Sequence, residues 1–500
     1  MQDANLYALM RRCFPADLDQ PCLLLPGGGV VTYRMLDARS AQIAHALVTA
    51  GCLRGDRIAV QVEKSPAAVC LYLACLRAGL VYLPLNTGYQ QRELSFFLTD
   101  AKPRVVICPP ETMDSMSAIM SPAMRLYTLG EDEQGSLIND IKSCFEEFDP
   151  VPTEQDDLAA ILYTSGTTGR SKGAMLSHGN LAANALTLVD YWGFSAEDVL
   201  YHALPIYHVH GLFVAMHCVL LAGCRMWFCR KFDAAQALAL LPRSTVMMGV
   251  PTYYTRLLAN PAFAAQHCGT IRVFISGSAP LLPETFASFE SRAGQPILER
   301  YGMTETGMNT SNPLLGERIA GSVGRPLPEV EVRVADIAGA EVKAGDIGGI
   351  EVKGPNVFSG YWGMPEKTVE EFTADGFFRT GDLGRFLPNG YLQIVGRAKD
   401  LIITGGLNVY PKEIEELIDA LPGVAESAVI GIPHPDLGEA VTAIVVGQPG
   451  ARLTSNIIIA SLRPQLAGFK IPKFVFMVAD LPRNTMGKVQ KNLLRQQYGR

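Results

Sequence analysis

An apolar run, residues 158–162 (Leu-Ala-Ala-Ile-Leu), passes without a break into Tyr163-Thr-Ser-Gly-Thr-Thr-Gly-Arg-Ser-Lys172-Gly173. The run has the length and composition of a buried strand, and the loop after it is built of hydroxyls, glycines and two cations. Glycine lets backbone N–H groups turn toward an anion, the hydroxyls donate further hydrogen bonds, and Arg170 and Lys172 offset charge on phosphate oxygens. Such a junction constrains the fold, because the strand must end at an open crevice, as strands of α/β proteins do at their carboxyl ends. A serine- and glycine-rich surface turn is the plainer alternative for the loop taken alone. The spacing excludes a Walker A loop: Lys172 comes three residues after Gly169 and is followed by Gly173, not by Ser or Thr. The stretch is a phosphate loop of another kind.

With 500 residues, 48% apolar and 18% charged, the chain is globular and long enough for more than one domain. A net charge of −6 gives no footprint for nucleic acid or an anionic membrane, so an anionic ligand must be held by local cations. Eleven cysteines, an odd number without a Cys-x-x-Cys pair, point to thiols in a reducing compartment rather than a disulfide framework or zinc site. The first residues lack the basic region and apolar core of a signal peptide. The longest apolar runs, such as 67–76 and 212–223, are interrupted or too short to span a bilayer. The expectation is a soluble, cytoplasmic protein.

In chain order, residues 33–50 put Leu36, Ile43, Ala44, Leu47 and Val48 on one helical face, with Gly51 as a stop. Residues 57–62, 81–83 and 104–108 read as strands and 66–78 as a buried helix, a rhythm that favours a parallel sheet. Residues 111–155, with acidic stretches at 131–133 and 146–149, read as solvated connections. Further on, 180–188 reads as helix and 199–204 as a strand leading into Pro205-Ile-Tyr-His208-Val-His210-Gly211. No carboxylate or thiol sits at ligand spacing from these histidines, so a helix-start loop facing a pocket is favoured over a metal site. Residues 246–251, 272–275 and 297–299 then lead into small-residue turns, among them Ser276-Gly277-Ser278-Ala279-Pro280 and Arg300-Tyr301-Gly302-Met303-Thr304-Glu305. Strand ends converging on one edge would build one pocket.

Beyond residue 320 the pattern changes. Residues 329–334, 349–353 and 390–395 alternate with Gly/Pro/Asp turns as antiparallel hairpins do, and 375–382 interrupts them. Residues 401–500 have their own strand-helix-strand pattern, which places a domain boundary at Lys399.

Five stretches then carry a resemblance: 163–173, Tyr301-Gly-Met-Thr-Glu305, Arg379-Thr-Gly-Asp382, Gly396-Arg397-Ala-Lys-Asp400 and Pro482-Arg-Asn-Thr-Met-Gly487-Lys488. In order and spacing the chain resembles the adenylate-forming superfamily of acyl-CoA synthetases, peptide-synthetase adenylation domains and firefly luciferase. Within it, residues 202–211, 248–256 and 299–312 are most similar to malonyl-CoA synthetases. The resemblance implies a multidomain α/β fold: a large N-terminal AMP-binding domain, residues 1–398, with mixed and parallel sheets sandwiched by helices plus a β-subdomain. A small mobile α+β C-terminal domain, residues 399–500, follows and hinges at Lys399.

It also implies a two-step ligase that activates malonate, with methylmalonate as a further substrate, and transfers it to coenzyme A, giving AMP and pyrophosphate. The alternatives are an adenylation enzyme for another small carboxylic acid, one loading a carrier protein, or a non-catalytic nucleotide-binding relative. By resemblance Thr164, Ser165, Gly166, Thr167, Thr168, Gly169 and Lys172 wrap the ATP β- and γ-phosphates. Thr304 touches the α-phosphate, and Glu305 holds Mg²⁺. Tyr301, with Gly302, stacks on adenine against Ser278, Ala279 and Pro280, and Asp382 binds ribose with Arg397 nearby.

The same resemblance makes Lys488 the catalytic lysine, and a place where a lysine acetyltransferase and deacetylase would act. Gly405 and Gly406 would line the coenzyme tunnel. The second carboxylate of a diacid needs a buried cation. Arg300 is the candidate, with His208, Arg256, Ser278 and Met303 as supports; the plainer role for Arg300 is a salt bridge to Glu299 or another acid.

Overall fold

The computed structural model describes residues 4–164, 171–405, 407–484 and 487–499. Among the described residues a seven-stranded sheet runs in the order Gly360–Tyr361, Lys172–Ser177, Leu158–Thr164, Val81–Pro84, Arg57–Val60, Val105–Cys108, Arg125–Thr128. A nine-stranded sheet runs Arg325–Pro326, Gly307–Ser311, Ile297–Met303, Val273–Ser276, Val246–Gly249, Val199–His202, Arg225–Phe228, Pro21–Leu24, Val30–Thr32. In the first sheet the strands from Leu158–Thr164 to Arg125–Thr128 are parallel and Lys172–Ser177 and Gly360–Tyr361 are added antiparallel. In the second, those from Ile297–Met303 to Pro21–Leu24 are parallel and Gly307–Ser311, Arg325–Pro326 and Val30–Thr32 are added antiparallel, so both sheets are mixed.

The period-2 rule accounts for how these sheets stack. Val246 and Met248 face a core shared with Ile58, Val60, Ile107 and Leu162 of the first sheet, whereas Met247 faces Tyr254 and Phe289 on the outer side. The shared core includes the helices Pro66–Arg77, His178–Tyr191 and Met216–Ala222, which therefore form the layer between the sheets. The first of them is apolar on all sides, as a helix packed from two directions must be. Its start is fixed by Ser65, whose side chain accepts from the Ala68 N–H, and by a proline at the first turn.

A third, antiparallel sheet joins Glu331–Ala335, Gly348–Lys353, Phe378–Phe386 and Leu392–Arg397. A fourth joins Leu407–Val409, Ile402–Thr404, Gly438–Gly447 and Val424–His434, with Phe474–Val478 parallel to Gly438–Gly447. It carries its own apolar clusters on either face, both confined to residues 402–498.

Several readings of the sequence need correction. Residues 111–155 are not merely solvated connections: Arg125–Thr128 is the edge strand of the first sheet, and Met113–Ser117 and Ser136–Ile141 are short helices. Within its acidic stretch, Glu133 accepts from the Ala67 N–H and pairs with Arg39, so it caps the buried helix. Residues 375–382 do not interrupt the third sheet, because Phe378–Phe386 lies between two of its strands. Val48 points outward and is 45% exposed, while Leu36, Ile43, Ala44 and Leu47 are fully buried. The strands that flank residues 165–170 pair antiparallel, Thr164 opposite Lys172.

Candidate active site

Register brings the first group of side chains together. Strand Val273–Ser276 pairs in parallel with Ile297–Met303, Ser276 opposite Glu299, which sets Gly277 beside Arg300. A Cβ built on Gly277 would lie 2.5 Å from Arg300 Cζ, so only glycine lets the guanidinium cross there. Arg300 is 3% exposed, and its Nε and Nη2 have no hydrogen-bond partner among the described residues. Burial pulls its pKa down to about 10, with Tyr254 and Glu299 acting in the opposite sense, so the group is a sealed cation at neutral pH. The salt bridge to Glu299 is not formed among the described residues. Glu299 Oε1 instead accepts from the Leu281 N–H at 3.3 Å, its Oε2 is unpartnered, and burial raises its pKa to about 7.

His208 and His210 sit beside this cation. Burial, then the charges of Arg300 and Lys488, hold His208 down to about 4, so its ring is neutral. The His210 N–H donates to His208 Nδ1 at 3.3 Å, which leaves the ring proton on Nε2. His210 is pushed well below its ordinary value by burial and by Arg300; its Nδ1 lies 3.2 Å from Ser278 Oγ and its Nε2 is unpartnered. Ser278 has φ +72°, a left-handed conformation rare outside glycine that concentrates at ligand sites. Sequence reading named His208 and Ser278 but missed His210 and Gly277 as parts of this pocket. Thr304 borders a cavity of about 10 Å³ lined by Val209, Phe213 and Gly307, which is water-sized.

Tyr301, next along the strand, faces the third sheet. Its hydroxyl donates to Asp382 Oδ2 at 2.7 Å, and Arg397 Nε lies 2.8 Å from Asp382 Oδ1. Asp382 and Arg397 are direct cross-strand partners, so the register alone delivers this pair. Asp382 is 4% exposed, and each of its oxygens keeps acceptor capacity for a further donor. Glu305, also buried, accepts at Oε1 from Tyr361 Oη (3.1 Å) and Thr164 Oγ1 (3.3 Å), and burial raises its pKa. Lys172 Nζ lies 3.2 Å from Glu371 and 4.1 Å from the centre of the Tyr361 ring. Gly302 and Met303 finish the strand, and Ala279 and Pro280 follow Ser278 toward the surface. Ser165, Gly166, Thr167, Thr168 and Gly169, and likewise Gly406, lie outside the described residues.

Lys488 docks into this group from the fourth-sheet region. Burial, then Arg397 and Lys399, pulls its pKa down to about 8 against the charges of Asp382 and Asp400, and its own charge is felt at His208. Gly487 packs against Thr252. Lys399 lies in a single turn, Ala398–Asp400, between the third sheet and the fourth, and Gly405 is exposed in the hairpin that follows. Arg256 does not join Arg300: it is exposed and lines a different cavity of about 470 Å³ with Lys231, Thr252, Arg483 and Gly487. Two residues after buried Tyr254 in one helix, it necessarily points away from it.

Among the described residues no cluster of three His, Cys, Asp or Glu could hold a metal ion. Glu305 with Thr164 supplies one hard carboxylate and a hydroxyl. That donor set suits Mg²⁺, which keeps its waters and shares phosphate oxygens rather than filling a protein cage. Among the described residues no helix is long and apolar enough to cross a membrane.

A parallel-sheet crevice with an acid-bound tyrosine, a hydroxyl-rich hairpin and a docked lysine defines a nucleotide-activating enzyme. Residues 15–362 match the AMP-binding enzyme family and residues 413–488 its AMP-binding enzyme C-terminal domain, and the chain belongs to that family. It is similar to the crystal structure of ATP-bound MatB from Rhodopseudomonas palustris, with 55% identity over 100% of this chain and 99% of that one and a TM-score of 0.98. Apo MatB from the same organism, at the same identity and coverage, gives a TM-score of 0.86. The chain is also 36% identical to a mitochondrial malonate–CoA ligase of Mus musculus, over 93% of this chain and 87% of that protein. It is 35% identical to a feruloyl-CoA synthase of Amycolatopsis, over 95% of each.

Replacing Gly277 by alanine displaces the guanidinium, and binding of an anion to this pocket, read by calorimetry or by KM for the acid, should weaken roughly a hundredfold. Unchanged KM would show that Arg300 does not meet the ligand.

Proposed function

We propose that this chain is an ATP-dependent malonate–CoA ligase. One malonate carboxylate oxygen attacks the α-phosphorus of ATP, the bond to the pyrophosphate leaving group breaks, and malonyl-AMP forms. The thiolate of coenzyme A then attacks the acyl carbon and releases AMP. The observation that carries this reading is Arg300: a buried guanidinium with two unpartnered nitrogens demands an anion, and each donor left unpaired costs about 1–3 kcal/mol. A carboxylate accepts both bonds in one plane. A monocarboxylic acid spends its only carboxylate on the phosphorus and leaves Arg300 unmet, whereas a diacid serves both. The relative named as a malonate–CoA ligase supports the same substrate. Methylmalonate, malonate with one added methyl group, is the second substrate proposed.

The remaining residues follow from charge. Two unit charges a few ångströms apart repel by about 1 kcal/mol in water and severalfold more in a dry cleft, so cations must stand between acid and triphosphate. Lys488 bridges the attacking carboxylate and the α-phosphate, with Thr304 beside it. Neutral His208 and His210 line the acid without adding charge. Asp382 takes the ribose hydroxyls, Arg397 holds Asp382, and Tyr301 stacks on adenine against the 278–280 turn. Thr164, Lys172 and the 165–169 segment hold the β- and γ-phosphates. Mg²⁺ held by Glu305 offsets phosphate charge.

The docked Lys488 and the higher similarity to ATP-bound than to apo MatB support an adenylation arrangement. Thioester formation follows rotation of residues 399–500 about Lys399, which withdraws Lys488 and brings in the 405–406 turn. Lys231 and Arg256 line the side of the cavity that stays in place when residues 399–500 turn, and they suit the phosphates of coenzyme A. Acetylation of Lys488 by a lysine acetyltransferase removes the bridging charge, and a deacetylase restores it. The eleven free thiols support a reducing compartment such as the cytoplasm.

Pyrophosphate release over a panel of mono- and dicarboxylic acids tests the reading: malonate should exceed acetate and ferulate, and Arg300→Ala should abolish that advantage. Preference for a monocarboxylic acid overturns it. Lys488→Ala should slow adenylation by roughly 10² to 10³ while thioester formation from pre-made malonyl-AMP survives. The free enzyme needs the ammonium, so kcat/KM for adenylation should fall as pH rises through about 8, well below the range of an ordinary lysine. In Arg256→Ala the KM for coenzyme A should rise about tenfold with adenylation unchanged.

A further inference from the structure

Lys64 precedes the buried helix Pro66–Arg77, in the seam between the two large sheets, and is 7% exposed. Its ammonium donates to His202 Nδ1 at 2.7 Å, the His202 carbonyl at 3.0 Å and the Leu204 carbonyl at 2.9 Å, over the face of Phe228. Its full donor set is therefore spent on the protein, and nothing remains for a ligand. His202, fully buried at the end of strand Val199–His202, has its Nε2 at 2.9 Å from the Gly211 carbonyl.

The proton count follows. A carbonyl only accepts, so Nε2 carries the proton; Nδ1 must then accept, which requires a third N–H on Lys64 and hence its charged form. Burial, then Lys64, holds His202 down to about 3, so its ring is neutral rather than an imidazolium donating to the amine. Burial also pushes the Lys64 amine well below its ordinary value, with Cys229 acting the other way, while the three acceptors directed at it favour the ammonium. The two bonds close a ring over residues 203–211, the turn that presents His208 and His210 to Arg300. Gly211 is packed so tightly into that ring that a Cβ would lie 2.1 Å from the Pro205 carbonyl oxygen. Tyr253 Oη adds a third hold, donating to the Ala203 carbonyl at 3.1 Å.

We propose that Lys64 and His202 are positioning residues for the acyl pocket: the ammonium fixes the His202 tautomer, and the remaining ring N–H clamps the 203–211 turn. The proposal rests on the ligase reading for what the pocket binds, but not for the clamp itself.

The full-length enzyme is compared as Lys64→Met, His202→Leu and His202→Gln. Lys64→Met and His202→Leu should raise KM for malonate about tenfold or more, with kcat and KM for ATP within about threefold. Glutamine offers an acceptor toward Lys64 and a donor toward Gly211, so His202→Gln should stay within about threefold of the parent in KM for malonate. Histidine ¹⁵N spectra should show a protonated Nε2 and a hydrogen-bonded, unprotonated Nδ1 at His202 in the parent, the latter signature lost in Lys64→Met.

Equal rises in KM for ATP and malonate, a His202→Gln variant no better than His202→Leu, or a protonated Nδ1 in the parent would each overturn the proposal. Where Lys64→Met does not fold, the His202 pair decides. Where another acid proves to be the substrate, the ligase reading fails for malonate and the same KM split for that acid judges the clamp.

Discussion

Successive side chains on a strand point to opposite faces, and the arrangement of this enzyme depends on that fact at one place. In Ile297–Met303, Arg300 turns to Gly277 and the histidine-bearing turn, while Tyr301 turns to Asp382 and the third sheet. In the function proposed, two neighbouring residues thus divide an acid-facing half from a nucleotide-facing half, separated by one backbone. The distance between the halves is set by main-chain geometry, the least adjustable part of a protein. Everything else is supplied around that divide: cations from one side, hydroxyls from another, and a lysine from the fourth-sheet region.

Sequence made the long, strongly periodic segments legible. The helix Tyr33–Thr49 and the strands Val105–Cys108 and Val246–Gly249 were each visible as runs of apolar residues with the right period. Residues 111–155 were opaque, because the edge strand Arg125–Thr128 is short, half exposed and begins with arginine. Phe378–Phe386 was hidden by two glycines and alternating exposure, which read as a turn until its partners on either side are known.

For the site, Asp382, Tyr301, Glu305 and Lys488 were named from their motif stretches, and burial shifts Tyr301 and Glu305 upward and Lys488 downward. Arg256 was named as a support for Arg300 from the 248–256 stretch, whereas in the fold it follows buried Tyr254 by two positions in one helix, is exposed and lines the other cavity. His210 was placed in a loop facing a pocket but not named among the substrate-binding residues, since nothing local reveals that Ser278, 68 positions on, reaches its ring. Lys64 is the extreme case: one lysine in a Glu-Lys-Ser triplet, identifiable only once two sheets are seen to close on it.

With Lys172 at the β- and γ-phosphates, as proposed, its contact with Glu371 bears on which nucleotide the pocket retains. A cation already neutralised by a carboxylate exerts little net pull on an approaching anion; it must first trade partners. A triphosphate long enough to reach it can drive that trade, whereas a monophosphate ends short and leaves the pair closed. The same lysine therefore favours the long ligand without strengthening its hold on the short one, and this lets the spent nucleotide depart.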